Sequence, residues 1–423
     1  MEQSSYVTAI DIGTTKIAAI IGKVTPNGRI SIEEQQCTYS RGVRRGLVEN
    51  IEDTADSIRE CLSALYKKVD VRQDKVVVGI AGRHISSLQN SAQKIRANPK
   101  AIITEQEVSD LKAQMYSIAL KPGQKILHVI TQDYVIDGEL VQKAVGCQGS
   151  KLTISYHIVV SDSDAMDRIR LCIERCGLTL DNLILEPIAS AEAVLTREEK
   201  EAGAILLDIG GGTSDMVIDY KNIIRSTAVI PCGGEAITKD IGEAYKISKA
   251  TAEKLKREHG SCFEDCCSEN VIIPYYKDTA RQEMGKISER NLAAVIRDRM
   301  EQIVDAVNYL IRESGFEDEV SSIVLTGGGS LVRHLPQLFQ LRTGLDVRIG
   351  YPRLQQIVNS KPRNLSPIMA TSVGLMMHGY KVDSSGKKIG GFIDKLPLIA
   401  KARGKIEKIL GGIFVEDDDV YLL

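Results

Sequence analysis

Leu206-Leu207-Asp208-Ile209-Gly210-Gly211-Gly212-Thr213-Ser214-Asp215 runs as an apolar strand, an aspartate and a glycine-hydroxyl turn, and the apolar run Met216-Val217-Ile218 follows it. About 200 residues earlier, Ala9-Ile10-Asp11-Ile12-Gly13-Thr14-Thr15-Lys16 has the same order and is followed by an apolar strand over 17–21. Two such hairpins can face each other across a cleft and hold a polyphosphate from both sides. Glycine has no Cβ, so the backbone N–H groups of Gly13, Gly210, Gly211 and Gly212 can approach phosphate oxygens closely. A run of such N–H groups makes an anion-binding concavity. The hydroxyls of Thr14, Thr15, Thr213 and Ser214 add donors, and Lys16 adds a cation. The carboxylates of Asp11 and Asp208 suit a hard, hydrated cation such as Mg²⁺, which prefers oxygen ligands and keeps several waters. Either copy alone also reads as a tight β-hairpin, because Asp-x-Gly is a common hairpin signal. The repetition favours the phosphate site. Neither turn ends in the Gly-Lys-Ser/Thr of a Walker loop, and a strand rather than a helix follows, which excludes a Rossmann fingerprint.

At 423 residues the chain is long enough for two or three domains with substantial cores. A net charge of −2 gives no overall drive toward nucleic acid, and none is expected as a partner. Trp is absent and Phe numbers five, so the core must rely on Ile, Leu, Val and Ala. The first residues are polar and no apolar segment follows a basic start, so no secretory signal is expected. No uncharged apolar run approaches the ~20 residues a spanning helix needs. A cytosolic chain is the expectation, and nine cysteines fit that compartment as free thiols. His259, Cys262, Cys266 and Cys267 lie close together, but their spacing matches no common zinc pattern. They read as a polar loop with reduced thiols or, less simply, as metal ligands. Cys172 and Cys176, one helical turn apart, read as core.

The pattern predicts strands at 6–11, 16–24 and 29–38, a helix at 51–68 with Ile58, Leu62 and Leu65 on one face, and a buried strand at 76–81. Residues 82–160 have a different texture and read as an α+β insertion. Thr104 and Glu107 form a capping box that opens a helix to about 119, and short strands follow at 126–130, 134–136 and 152–160. A helix at 161–176, a strand at 178–186 and a helix from 187 return to the parent sheet. The second half repeats the plan with strands at 204–208, 216–220 and 222–231. A helical region at 234–258 follows, then a short strand at 271–274 and a long amphipathic helix at 289–314. That helix carries Leu292, Val295, Ile296, Ile303, Val307 and Leu310 on one face. A strand at 322–326, a helix at 331–341 and a final helix at 367–378 complete the globular part. The resulting division is a first domain of 1–81 and 161–200, to which 360–380 returns, the insertion, and a second domain of 201–359 with a small subdomain at about 235–305. A Ser-, Gly- and Lys-rich linker at 381–391, a segment at 392–414 and an acidic tail at 415–423 follow.

Gly327, Gly328, Gly329 and Ser330 lie between a strand and the helix predicted at 331–341, where bare backbone can receive a base or ribose. Gly233 and Gly234 precede a helical region in which Glu253 and Lys256, three apart, share a face. That pair is either a surface ion pair worth about 0.3–0.5 kcal/mol or a pair flanking adenosine.

This order of phosphate hairpin, connecting helix from Glu186, second phosphate hairpin, adenosine turn and closing helix resembles the actin-like ATPase superfamily. That superfamily binds ATP with Mg²⁺ between two domains of one α/β (ribonuclease-H-like) fold. Several stretches are similar to the FtsA family of actin-like bacterial division proteins in particular. They are Val78-Gly79-Ile80-Ala81-Gly82-x-His84-Ile85, Ile126-Leu127-His128-Val129-Ile130, Val135-Ile136-Asp137-Gly138 and Gly146-Cys147-Gln148-Gly149-Ser150-Lys151-Leu152. Thr238-x-Asp240-Ile241 and Ala252-Glu253-x-x-Lys256 are further likenesses. The resemblance implies two actin-like domains around an ATP cleft and an FtsA-type insertion. It departs at Thr131-Gln132, where the family usually has Pro-Gln, and at Cys147, where it often has Met. In the long helix the family's Arg-x-x-Glu pair, which receives the FtsZ tail, reads here as Arg299-Met300-Glu301-Gln302. Arg299 carries over, with Gln302 or a shifted Glu301 in the partner's place.

The resemblance further implies a membrane-lying amphipathic helix after the linker. Leu398, Ala402, Ile406, Ile409, Leu410 and Ile413 fall on one helical stripe, with Phe414 at its end. Lys395, Lys401, Arg403, Lys405 and Lys408 stand against Asp394 and Glu407, a local charge of about +3 that suits an anionic membrane surface. A helix that packs on its own domain or on a partner is the alternative. The function implied is an ATP-binding cytoskeletal adaptor at the cytoplasmic side of the cell membrane, at the division site. It would polymerise, bind the FtsZ tail, anchor FtsZ to the membrane and meet other division proteins through its insertion. Glu186 and Asp208 would position water for a slow ATP hydrolysis. The competing class is a small-molecule kinase on the same fold, for which no general base beside an acceptor pocket can be assigned.

Overall fold

A computed structural model of the chain describes residues 6–24, 30–267, 271–278, 283–353 and 365–380. It opens with three strands in succession, β1 (Tyr6–Ile12), β2 (Lys16–Val24) and β3 (Ile30–Tyr39). A minimal hairpin of β4 (Val43–Arg44) and β5 (Leu47–Val48) leads into helix α1 (Ile51–Tyr66) and strand β6 (Lys75–Ile80). Asn50 caps α1 by accepting from the Asp53 N–H, and Ile58, Leu62 and Leu65 are buried as their spacing predicts.

The insertion comprises β7 (Ile85–Ile95), α2 (Glu105–Met115), β8 (Gln124–Ile136), β9 (Glu139–Val141) and β10 (Lys151–Asp162). They form an antiparallel sheet in the order β7-β10-β8-β9. The capping box of Thr104 and Glu107 is present at the start of α2. The strands expected at 126–130 and 134–136 are one strand, because a bulge opposite Ile154 and Tyr156 lets pairing continue through the polar stretch between them. The sequence pattern misses β7 altogether. Its Ser-, Gln- and Asn-rich run has little strand propensity, and pairing along the whole length of the buried β10 makes it a strand.

The chain then returns through α3 (Ser163–Arg175), β11 (Thr179–Leu185), α4 (Glu186–Val194) and α5 (Arg197–Ala202). The second lobe begins with β12 (Ala204–Ile209), β13 (Ser214–Tyr220) and β14 (Ile223–Ile230). Next come α6 (Gly234–Tyr245), α7 (Lys249–His259), β15 (Ile272–Asp278), β16 (Glu283–Ser288) and α8 (Glu289–Ser314). The helical region expected over 234–258 is broken into α6 and α7. Lys246 adopts the left-handed conformation at φ 53° and Ser248 caps the new start. Strand β16 was also missed, and it pairs with β15 as a hairpin. Along α8, Leu292, Ile296, Ile303 and Val307 are buried, whereas Val295 and Leu310 are only partly so.

Strand β17 (Ser322–Thr326) runs into a 3₁₀ turn, Gly328–Leu331, and α9 (Leu335–Thr343) precedes β18 (Asp346–Ile349). The helix expected from 331 therefore starts four residues later. Arg333 is held instead by the carbonyls of His259 and Gly260 and by Glu289, and a proline opens the helix after it. A second 3₁₀ turn, Pro367–Met369, leads into α10 (Ala370–Tyr380).

The two main sheets repeat one topology. The first has the order β11-β6-β1-β2-β3 and the second β14-β13-β12-β17-β18. In each, the strand before the glycine turn pairs antiparallel with the strand after it and parallel with a later one. Helices α4 and α10 lie between the sheets, in a core that takes Ala9 and Ile20 from one lobe and Leu206 and Val324 from the other. The helices cross closely because Gly374 faces Ala189; a Cβ there would be driven into the Ala189 carbonyl. Among the described residues no helix is long and apolar enough to cross a membrane. The expected lipid-facing residues Leu398, Lys401, Ile406, Ile409, Leu410, Ile413 and Phe414 lie outside the described residues, as do the linker and the acidic tail.

Candidate functional site

Each glycine turn closes with the same hydrogen bond. The Gly13 N–H donates to the Lys16 carbonyl at 3.0 Å, and the Gly210 N–H donates to the Thr213 carbonyl at 2.9 Å. The turns meet face to face. A Cβ on Gly211 would sit 2.6 Å from Thr15 Oγ1, and one on Gly212 would sit 2.5 Å from Thr14 Oγ1, so a side chain at either place would displace the threonine facing it. The Gly46 N–H, from the β4–β5 hairpin, donates to Thr14 Oγ1 at 3.1 Å.

Four carboxylates, Asp11, Glu186, Asp208 and Asp215, line this cleft with Lys16 as their cation. Lys16 Nζ donates to Asp11 Oδ2 at 2.7 Å. Burial lowers the Lys16 pKa, but Asp11, Cys37 and Asp208 outweigh it and leave the ammonium above its ordinary value. Asp208 accepts from Ser190 Oγ at 2.7 Å and from Thr371 Oγ1 at 3.1 Å. Burial still raises its pKa, against those bonds and the charge of Lys16. Burial pushes Asp215 up to about 8, with help from Asp208 and Asp11. One of its oxygens accepts from Thr213 Oγ1 at 2.9 Å, and the other is buried without a partner. Glu186 begins α4 and is raised well above the carboxylate range by burial and then by Asp11, Asp215 and Asp208. Gly79 makes room for it, since a Cβ there would lie 2.8 Å from Glu186 Cγ. Among the described residues that line the cleft Lys16 is the one cation, and burial with the acids around it keeps Asp215 and Glu186 protonated well above the ordinary carboxylate range. Among the described residues no three His, Cys, Asp or Glu side chains are grouped to hold a metal ion directly.

Gly327 and Gly328 also line the cleft. Gly327, at φ 79°, packs against Asp208 and Ile209. Gly329 and Ser330 turn inward, Gly329 against Ile209 and Ser330 Oγ onto the Gly327 carbonyl at 2.7 Å. The hydroxyl of Ser214, expected as a phosphate donor, bonds to the Cys232 carbonyl at 2.8 Å instead. Strand β13 begins at Ser214, and the pleat points its side chain away from the turn.

The start of α6 is laid on the second turn. The Gly234 N–H donates to the Gly210 carbonyl and the Glu235 N–H to that of Gly211, and a Cβ on Gly233 would meet three carbonyls of the turn. Lys256 and Glu253 form an ion pair at 2.6 Å, but not an isolated surface one. Lys256 Nζ also donates to the Gly234 carbonyl and Thr238 Oγ1, both at 2.7 Å. Burial lowers the Lys256 pKa against the pull of Glu253. The pair thus braces α7 against the start of α6.

Arg299, on α8, makes a two-pronged contact with Asp240 at 2.7 and 2.9 Å and donates to Gln302 Oε1 at 2.7 Å. Glu301 does not pair with Arg299; it accepts from Arg297 at 3.0 Å. Cys262 and Cys267 are buried and Cys266 is exposed. The space enclosed by the turns is about 50 Å³. A larger depression of about 330 Å³ lies on the outer side of the first lobe against Arg59, Tyr66 and Arg72, away from the carboxylates.

Sequence reasoning passed over Asp215, Gly46, Ser190 and Thr371. Asp215 carried a signal, because a second acid sits just past the turn. Thr371 carried none, since it comes from 163 positions away in the chain.

A family model described as "Cell division protein FtsA" matches residues 205–374, and one described as "SHS2 domain inserted in FTSA" matches 82–160. The chain is 35% identical over 390 residues to the cell division protein FtsA of Neisseria meningitidis serogroup B, covering 91% of this chain and 92% of that protein. It is 34% identical to the Pseudomonas aeruginosa FtsA over the same shares, and 30% identical to that of Escherichia coli K12 over 90% and 92%. Among solved structures, the PilM-PilN type IV pilus biogenesis complex superposes with a TM-score of 0.62 at 16% identity, over 89% of this chain and 98% of that one. The ethanolamine utilization protein EutJ from Carboxydothermus hydrogenoformans gives 0.50, also at 16%, over 88% and 89%. The fold is the actin-like one, two lobes about a cleft with an inserted α+β domain.

Proposed function

The chain belongs to the FtsA family of cell division proteins, and we propose that it binds ATP with Mg²⁺ between its two glycine turns, polymerises, and tethers FtsZ filaments to the cytoplasmic membrane at the division septum. One observation supports the cofactor above all. Asp11, Asp208 and Asp215 are buried and line the cleft with Glu186, Lys16 is the one cation lining it among the described residues, and an Asp215 oxygen has no partner. Such a site gains most from a divalent cation. No three of its acids are grouped for direct ligation, which suits an ion held by Asp11 and Asp208 through its own waters.

Gly13, Thr14, Thr15 and Lys16 would hold phosphates from one side, and Gly210, Gly211, Gly212 and Thr213 from the other, with Ser214 contributing backbone only. Gly233, Gly234, Glu253 and Lys256 would shape the adenosine side, with Gly327 and Gly328 opposite; Gly329 and Ser330 support that turn from behind. Bound Mg²⁺ supplies charge neutralisation for the phosphates. Glu186 and Asp208 would orient a water for a slow hydrolysis. Pockets for ligands of this size run to roughly 300–1,000 Å³, against about 50 Å³ here, so the lobes must part for nucleotide to enter.

Arg299 on α8 would receive the FtsZ tail, with Glu301 beside it, and residues 392–414 would lie on anionic lipid. Calorimetry tests the cofactor: heat on adding ATP with Mg²⁺ to the parent and none with Asp208→Ala is the expected result, and equal heats would reject it. Liposome co-sedimentation of the full chain against a version ending at Ser384 tests the anchor, and equal pelleting would sink it.

A further inference from the structure

The insertion is tied to the second lobe as well as to the first. Strand β14 is the outer strand of its sheet, and the carbonyls on its open edge need donors. The insertion supplies them from side chains. Gln132 Nε2 donates to the Ile224 and Arg225 carbonyls at 3.2 and 2.9 Å. Gln89 Nε2 donates to the Arg225 carbonyl at 3.3 Å, and Ser87 Oγ to that of Thr227 at 3.4 Å. Arg225 Nη1 reaches back to Asp133 Oδ2 at 2.7 Å.

His157 completes the contact from the buried middle of β10. Gln89 donates to its Nδ1 at 3.2 Å, which leaves Nε2–H to donate to Thr227 Oγ1 at 2.9 Å. Burial lowers the His157 pKa to about 4, so the ring is neutral at pH 7 and can serve as both donor and acceptor. Ile224 packs against Val159, Leu185 and Ile188, an apolar seat shared by the insertion and the first lobe.

Strand β14 also pairs with the strand that carries the second turn. Ile230 lies opposite Ser214, and Val229 opposite Asp215. Thr227 is three residues from Ile230, or about 10 Å along a stiff strand. The insertion joins the first lobe through short connections, at Ala81 to Ile85 and at Asp162 to Ser163. We propose that the insertion is a strut that reads the cleft: when the turns part, β14 moves with the second turn and tilts the insertion through Gln132, Gln89 and His157. The proposal rests on the nucleotide assignment above. It makes the orientation of the insertion depend on nucleotide, so any partner or second copy that binds the insertion would feel the state of the cleft.

Hydrogen–deuterium exchange of the full chain, with and without ATP and Mg²⁺, tests it. The expected result is a change of about threefold or more at the turns, at β14 and at insertion residues 128–133. In Gln132→Ala, and in the milder Gln89→Ala, the response of the insertion should be lost while that of the turns stays. Turns that respond while the insertion of the parent stays silent would overturn the strut and leave nucleotide binding standing. Variants that keep the full insertion response would overturn it as well. Turns that ignore ATP would remove the nucleotide assignment and the strut together.

Discussion

Ser190, in the middle of α4, donates its hydroxyl to Asp208 Oδ2 at 2.7 Å and also touches Thr371 Oγ1, so the aspartate of the second turn is held by both helices that lie between the lobes. These bonds keep Asp208 more acidic than its burial alone would make it. Ser190→Ala and Thr371→Val should each raise the Asp208 pKa further. Affinity for Mg²⁺ with ATP should then fall at pH values below the raised pKa of Asp208 and recover at higher pH. Calorimetric titrations across pH check it; affinities that track the parent at every pH would refute the coupling.

Asp215 sets a pH dependence of stability. Its folded pKa of about 8 lies above the ordinary 3.8. Between those values the folded state binds more protons than the unfolded one, so stability falls as pH rises through that window. Glu186, also raised, acts in the same sense. Asp215→Asn should flatten the fall and stabilise the chain at pH 8 relative to the parent. Denaturant titrations at pH 5 and 8 measure it, and a parent more stable at pH 8 than at pH 5 would contradict it.

Binding of the cation should release protons for the same reason. A dication favours the ionised forms of Asp215 and Glu186, so affinity for Mg²⁺ with ATP should rise with pH up to about 8. Calorimetry in buffers of different ionisation heat counts those protons. An uptake of protons would reverse the assignment.

Gly374→Ala should lower stability by about 1–3 kcal/mol or more, the range for forcing atoms into a packed core. The added Cβ meets backbone of Ala189 rather than a side chain that can swing away. Because α4 and α10 join the lobes, the loss should appear in the main unfolding transition. A neutral substitution would mean that the helices can slide apart freely.

Lys256→Ala should cost about 1.5–3 kcal/mol, the range for hydrogen bonds to a charged group, because it removes the ammonium shared by the Gly234 carbonyl, Thr238 and Glu253. Lys256→Arg should not restore it, since a planar fork cannot meet three acceptors placed around one ammonium. Nucleotide affinity should fall with it as α6 loosens from the second turn.

Much of the fold could be read along the chain. The three-strand starts of both lobes, α1, the capping box of α2, α8 and β17 follow from local pattern and capping. The misses share a cause. Strand β7 is polar and is a strand because β10 is beside it. The break at Lys246 rests on a left-handed residue that is neither glycine nor asparagine. Helix α9 starts late because Arg333 is claimed by carbonyls on another element.

The residues of the two turns were legible for the same reason, since a glycine turn between apolar strands is a short-range signal. The direction of the Ser214 hydroxyl and the pairing of Arg299 with Asp240, 59 positions away, were not.

The repeated strand, aspartate, glycine turn and strand follow from local sequence, because backbone sterics and side-chain periodicity act over a few residues. Tertiary structure alone decided which carboxylates share a buried space, which groups hold Asp208, and that the insertion grips β14 with Gln132 and His157. Those outcomes depend on burial and on contacts between distant segments, and neither quantity exists until the lobes have packed.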